Sequence, residues 1–241
     1  MKPMKTIDHL KVKIFADGAL KNEMLDMHQK TFIKGLTTNP TLMNKAGIKD
    51  YRAFCKDILT VIKDKPLSFE VFSDDFTDME RQALEIASWG SNVYVKIPIT
   101  NTKAQPCYDL VKKLANQKVK LNITAIMTLD QVANVVDVLH KDVAAYISIF
   151  AGRVADTGRD PMPMMQSALL LMKEKPLSEL IWASPRELLN IFQADQIGCH
   201  IITVTHDILK KLALVDYDLD KYSLDTVKMF YNDAVVAGYK L

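Results

Sequence analysis

Residues 92–98 read NVYVKIP, an apolar, β-branched run with a lysine, Lys96, at its centre and a proline at its end. Without the lysine it would pass for a strand buried on both faces, the kind found in parallel sheets. Seven more short runs of this type recur: VKIFAD (12–17), KGLTTNP (34–40), LSFEVF (67–72), VKLNITAI (119–126), AAYISIFAGR (144–153), LIWAS (180–184) and CHIITVT (199–205). Stretches with helical spacing lie between them. TDMERQALEIAS carries Met79, Ala83 and Ile86 on one stripe, and TLDQVANVVDVLH carries Val132, Val135, Val136 and Leu139. SPRELLNIFQAD reads as a helix with Ser184 as N-cap and Pro185 at its first position. Strand then helix, eight times over, predicts an α/β fold: a single (β/α)8 TIM barrel occupying residues 1–241. A doubly wound open sheet is the alternative, but neither GxGxxG nor GxxxxGK[ST] follows any strand.

Length and charge are compatible with that fold. The chain has 241 residues and a net charge of +2, with its lysines scattered, so neither a nucleic acid nor an anionic membrane is indicated as partner. No apolar run reaches the length of a membrane span, and the N-terminal stretch lacks a signal peptide's apolar core. Three cysteines without metal-type spacing argue for free thiols, and a cytoplasmic protein is expected. The C-terminal segment 216–241 begins acidic and turns helical. Its stripe of Val227, Phe230, Tyr231 and Ala234 would either close the outer ring of helices or meet another subunit.

In such a barrel the carboxyl ends of the strands build the active site. Polar residues gather there in this sequence: Asp17, Asn39, Glu70, Lys96, Asn122 with Thr124, Ser148 with Phe150 and Arg153, and Ser184 with Arg186. Asn122 and Thr124 are two apart in the fifth strand and share a face, as do Ser148 and Phe150 in the sixth. A buried ammonium is costly, so Lys96 either pairs with an inward carboxylate or acts as a nucleophile. An ordinary lysine, with a pKa of about 10.4, is almost wholly charged at pH 7, and desolvation favours the neutral form that attacks a carbonyl. The resulting imine is an electron sink beside which a C–C bond can break. Asp17 and Glu70, on neighbouring strands, would supply acid and base, with Thr124 helping to hold the water of imine formation. Asn39 and Asn122 suit sugar hydroxyls. Arg153, Ser184 and Arg186, with the N-terminus of the SPRELL helix, suit a phosphate.

The segments GLTTNPTLM, VYVKIP, LNITAIMT, SIFAGR and WASPRE resemble the motifs of the transaldolase family. The likeness is strongest to its short branch of small transaldolases and fructose-6-phosphate aldolases, and runs from about residue 12 to about 215. The resemblance implies a metal-free Schiff-base mechanism without a cofactor, acting on sugar phosphates. It implies Lys96 as the imine-forming lysine, Asp17 as the acid/base on the C4 hydroxyl, and Glu70 with Thr124 around the catalytic water. Asn39, Asn122 and Ser148 then contact the sugar, and Arg153, Ser184 and Arg186 the phosphate. Fructose-6-phosphate aldolases resemble a pattern with Gln and Tyr where this chain has Glu70 and Phe150, which favours transfer of a dihydroxyacetone unit over its release. An aldolase, or a non-catalytic phosphosugar-binding barrel, is the alternative. The chain departs from the pattern at Gly18, at Met127 and in the insert 154–165, which is expected near the site. Relatives of this size form rings, pentamers or decamers, through the C-terminal helix, so a homo-oligomer is expected.

Overall fold

All eight apolar runs become strands. The computed structural model describes residues 7–241; residues 1–6, part of the N-terminal stretch read above, lie outside the described residues. In chain order the elements are β1 (Lys13–Asp17), α1 (Lys21–Gln29), β2 (Ile33–Thr37), α2 (Pro40–Lys45), α3 (Tyr51–Val61), β3 (Leu67–Glu70), α4 (Phe76–Ala87) and β4 (Val93–Pro98). There follow α5 (Tyr108–Asn116), β5 (Leu121–Ile126), α6 (Leu129–Val138), β6 (Ala145–Ile149), α7 (Ala151–Asp156), α8 (Met162–Leu171), β7 (Ser178–Trp182), α9 (Leu189–Gln196), β8 (Ile201–Thr205), α10 (His206–Lys210) and α11 (Leu219–Ala237). The strands pair in sequence order, all parallel, and β8 closes on β1. The result is a TIM barrel with a C-terminal helix.

The helices form where the sequence supplies a start and an apolar stripe. Asp75 caps α4 by accepting from the Asp78 amide, and the helix buries Met79, Ala83 and Ile86. Burying a side chain the size of Met or Ile contributes about 1.5–3 kcal/mol. A reciprocal capping box between Thr128 and Gln131 opens α6, which buries Val132, Val135 and Val136. Asn39 caps α2 through the Leu42 amide at 3.0 Å, with Pro40 at the first helical position.

The main core fills the space between strands and helices, and a second buried cluster is made of Phe15, Tyr94, Tyr146, Ile181, Ala183 and Ile201. Tyr94 stacks on Tyr146 at 4.0 Å, and Phe15 meets Tyr146 edge-on at 5.8 Å. Gly35 makes room for this layer: a Cβ there would lie 2.5 Å from Phe15 Cζ. Side chains alternate along a strand, so the residues two further on from Phe15, Tyr94, Tyr146 and Ile201 occupy the same face. They are Asp17, Lys96, Ser148 and Thr203. An aromatic floor thus underlies a polar layer at the carboxyl end.

Three expectations are corrected. The SPRELL helix does not start at Ser184: Ser184 has φ +56°, and α9 begins only at Leu189 with no side-chain cap. The Asn190 side chain takes up the Arg186 and Glu187 amides instead, at 2.7 and 3.1 Å. Phe150 lies outside β6, which ends at Ile149; its amide still donates to Ile126, but its ψ of 62° turns the chain into α7. Asp17 and Glu70 are not on neighbouring strands, because β2 separates β1 from β3.

Candidate active site

β4 carries Lys96 into the polar layer, where it is 6% exposed. Its Nζ donates to the Thr38 carbonyl at 2.9 Å and meets Glu70 Oε2 at 3.1 Å. Lys96 and Glu70 are register partners across β4 and β3, which brings the two side chains together. Asn122 is the register partner of Lys96 on β5. The Asn122 amide donates to Ser68 Oγ at 3.1 Å, and its oxygen accepts from Ser148 Oγ at 2.7 Å. These three buried side chains form a polar chain across β3, β5 and β6, which fixes the orientation of Asn122.

Asp17 accepts from Thr37 Oγ1 at 2.8 Å, and Thr37 Oγ1 lies 2.5 Å from Thr203 Oγ1. If the Thr37 proton points at Asp17, Thr203 supplies the donor between the two hydroxyls. Burial pushes the Asp17 carboxyl above the usual carboxylate range; the Lys96 ammonium and the Thr37 hydrogen bond pull it down, and Glu70 adds to the rise. At this end of the barrel the buried hydroxyls Thr38 Oγ1 and Thr124 Oγ1 have no hydrogen-bond partner among the described residues. Such groups are costly unless something satisfies them, and a bound polar molecule could.

The rim beyond β6 and β7 is shaped by a glycine. A Cβ on Gly152 would lie 1.5 Å from the Ser184 carbonyl oxygen and 3.3 Å from Arg186 Nε. That close approach brings the start of α7 against the loop after β7, with Ser184 in the left-handed region. Arg186 is exposed and holds Asp156 with two hydrogen bonds, one from Nε at 3.0 Å. Arg153 is exposed over the Phe150 ring, 5.7 Å from its centroid. Within 154–165, Asp156 is the residue linked to this rim; 157–160 form an exposed turn leading to α8. Gly18 faces open space, with nothing within 4 Å of an added Cβ, and Met127 is exposed beyond β5.

The predicted residues therefore fall into two groups. Asp17, Glu70, Lys96, Asn122, Thr124 and Ser148 lie on strands and form the polar layer. Asn39, Phe150, Arg153, Ser184 and Arg186 lie in the loops and helix starts above it. Sequence reasoning missed Thr37, Thr38, Ser68 and Thr203. Thr37 and Thr38 were inside a quoted segment, and Ser68 shares a face with Glu70 at a spacing of two. Among the described residues no group of three His, Cys, Asp or Glu side chains could hold a metal ion, and no helix is long and apolar enough to cross a membrane.

A family model described as "Transaldolase/Fructose-6-phosphate aldolase" matches residues 14–238. This chain belongs to that family. Its members include curated relatives named "Probable transaldolase". The one from Dehalococcoides mccartyi is 32% identical over 218 residues, covering 89% of this chain and 97% of that protein. The one from Geobacter metallireducens is 32% identical over 222 residues, covering 90% and 99%. Among solved structures, a dihydrodipicolinate synthase from Rhodopseudomonas palustris superposes with a TM-score of 0.57 at 13% identity, over 92% of this chain and 81% of that one. At that identity the likeness is one of fold. Transaldolase/fructose-6-phosphate aldolase membership makes the protein an aldolase-type enzyme and gives the barrel's polar layer its chemical context.

Proposed function

We propose that the protein is a transaldolase, moving a dihydroxyacetone unit from a ketose phosphate to an aldose phosphate through an imine on Lys96. The observation that carries the proposal is Lys96: a buried amine at the barrel's carboxyl end, 3.1 Å from one carboxylate and within the electrostatic reach of a second. The names of the curated relatives support the same reading.

Glu70 takes the ammonium proton from Lys96, and the freed amine attacks the ketone C2. The hydroxyl at C2 leaves as water, protonated by Glu70 with Thr124 Oγ1 holding the water, and the protonated imine remains. Asp17 takes the proton of the C4 hydroxyl. The C3–C4 bond breaks, its electron pair moves into the iminium to give an enamine, and an aldose phosphate leaves with a new aldehyde. A second aldose phosphate binds, the enamine carbon attacks its aldehyde, and Asp17 returns its proton to the new alkoxide. Water then releases the product ketose. The Asn122–Ser148–Ser68 chain and Asn39 hold the sugar hydroxyls, and Arg153, Ser184 and Arg186 hold the phosphate. Phe150 carries no hydroxyl to assist protonation of the enamine by solvent, which favours transfer over release.

Trapping with borohydride in the presence of fructose 6-phosphate tests this. The expected result is a sugar-derived mass increment on the peptide containing Lys96. Labelling elsewhere, or none, would overturn the mechanism. An assay for free dihydroxyacetone without an acceptor aldehyde separates transaldolase from aldolase, the transaldolase giving little or none. We further propose that the active form is a homo-oligomer assembled through α11, on which no residue is buried in the single chain.

A further inference from the structure

The main chain of Glu70 is held by a side chain that lies outside the barrel sheet. Tyr51, the first residue of α3, donates its hydroxyl to the Glu70 carbonyl at 2.8 Å and accepts from the Glu70 amide at 2.9 Å. The reason lies in the neighbouring strand. β2 and β3 pair only at Leu36↔Leu67 and Thr37↔Ser68. The Leu36 amide reaches the Pro66 carbonyl, and the Thr38 amide the Ser68 carbonyl. Even-numbered residues of β3 thus face β2, while Leu67 and Val71 donate towards β4. One more rung would join the Glu70 amide to the Thr38 carbonyl, and the Glu70 carbonyl to the amide of residue 40. Residue 40 is proline and has no N–H. The Thr38 carbonyl is already bonded to Lys96 Nζ. Tyr51 closes the rung with a single oxygen that both donates and accepts.

We infer that Tyr51 is a positioning residue for imine formation: its hydroxyl anchors the Glu70 backbone and leaves the Thr38 carbonyl free to orient Lys96. The inference rests on the Schiff-base reading above. Glu70 is the last residue of β3, and without the hydroxyl its amide would compete with Lys96 for the Thr38 carbonyl. Burial pushes the Tyr51 phenol far above its ordinary range, so it keeps the proton it donates. The Tyr51 ring is fixed independently, edge-on to Phe72 at 5.2 Å and tilted against Trp89 at 6.4 Å. Tyr51→Phe therefore keeps the packing and removes only the hydroxyl.

The test is rapid-quench trapping with cyanoborohydride and fructose 6-phosphate, read by intact mass. It is run on the parent chain, Tyr51→Phe and Phe72→Leu, each well below its melting temperature. In Tyr51→Phe the Lys96 adduct should appear about tenfold more slowly or worse, the scale on which small misplacements of reacting groups are felt. KM for the ketose phosphate should change by less than about threefold, since the sugar contacts are untouched. Phe72→Leu, which disturbs the ring contact but not the hydroxyl, should trap at the parent rate. A parent-like trapping rate in Tyr51→Phe overturns the inference, and so does equal slowing in both variants, which would assign the effect to packing. A parent chain that forms no adduct overturns the Schiff-base reading and this inference with it.

Discussion

Asp17 is the residue whose charge the proposed mechanism uses most directly, and its environment pulls it both ways. Burial raises its pKa, while Lys96 and the Thr37 hydroxyl lower it. As a base it must be ionised, so activity falls as pH drops through its pKa. Thr37→Val removes a donor that favours the carboxylate. The acidic limb of the kcat/KM profile should therefore move to higher pH, with the alkaline limb unchanged. Lys96→Met tests the nucleophile: turnover should fall by about 10⁴-fold or more, as when a covalent nucleophile is lost. Gly18, where the resemblance leads us to expect a hydroxyl side chain, has room for one. With no atom within 4 Å of an added Cβ, Gly18→Ser should change stability by less than about 0.5 kcal/mol, measured by denaturant unfolding.

At the level of elements, the junction of α7 with the loop after β7 decides the phosphate rim. An added Cβ at Gly152 would fall 1.5 Å from a backbone oxygen, and backbone cannot swing aside as a side chain tip does. Gly152→Ala should cost about 3 kcal/mol and lower Tm by roughly 6–12 °C in a scanning experiment. The loop after β7 also holds Arg186, whose guanidinium is occupied by Asp156. If a phosphate takes that place, the carboxylate competes with it. Asp156→Asn should then lower KM for phosphorylated substrates about two- to fivefold, and less at high salt, because the pair is exposed. A raised KM would instead make Asp156 part of the support for Arg186. In SPRELL a local signal is overridden by tertiary structure. Ser-Pro followed by Glu is a good helix start locally, but the tertiary approach of Gly152 coincides with a left-handed Ser184 and a start deferred to Leu189.

For the whole molecule, the outstanding feature is α11. It runs from Leu219 to Ala237, and none of its residues is buried; Val227, Phe230 and Tyr231 are 60%, 63% and 71% exposed. Apolar surface of that extent on a helix asks for a partner. Light scattering should give a mass several times the 27.2 kDa of one chain, and Phe230→Glu with Tyr231→Glu should reduce it to about that value. The sequence by itself determined the eight strands and their order, because β-branched runs and helical stripes are local patterns that each element satisfies on its own. Strand alternation also marked Lys96, Asn122, Thr124 and Ser148 for the carboxyl end, but it did not single out Thr37, Thr38, Ser68 or Thr203. Only the tertiary structure decided that the carboxylate beside Lys96 is that of Glu70, and that Tyr51 completes the ladder. Those facts depend on barrel closure and on which backbone groups the turning chain leaves unpaired, and no window of sequence contains both partners of such a contact.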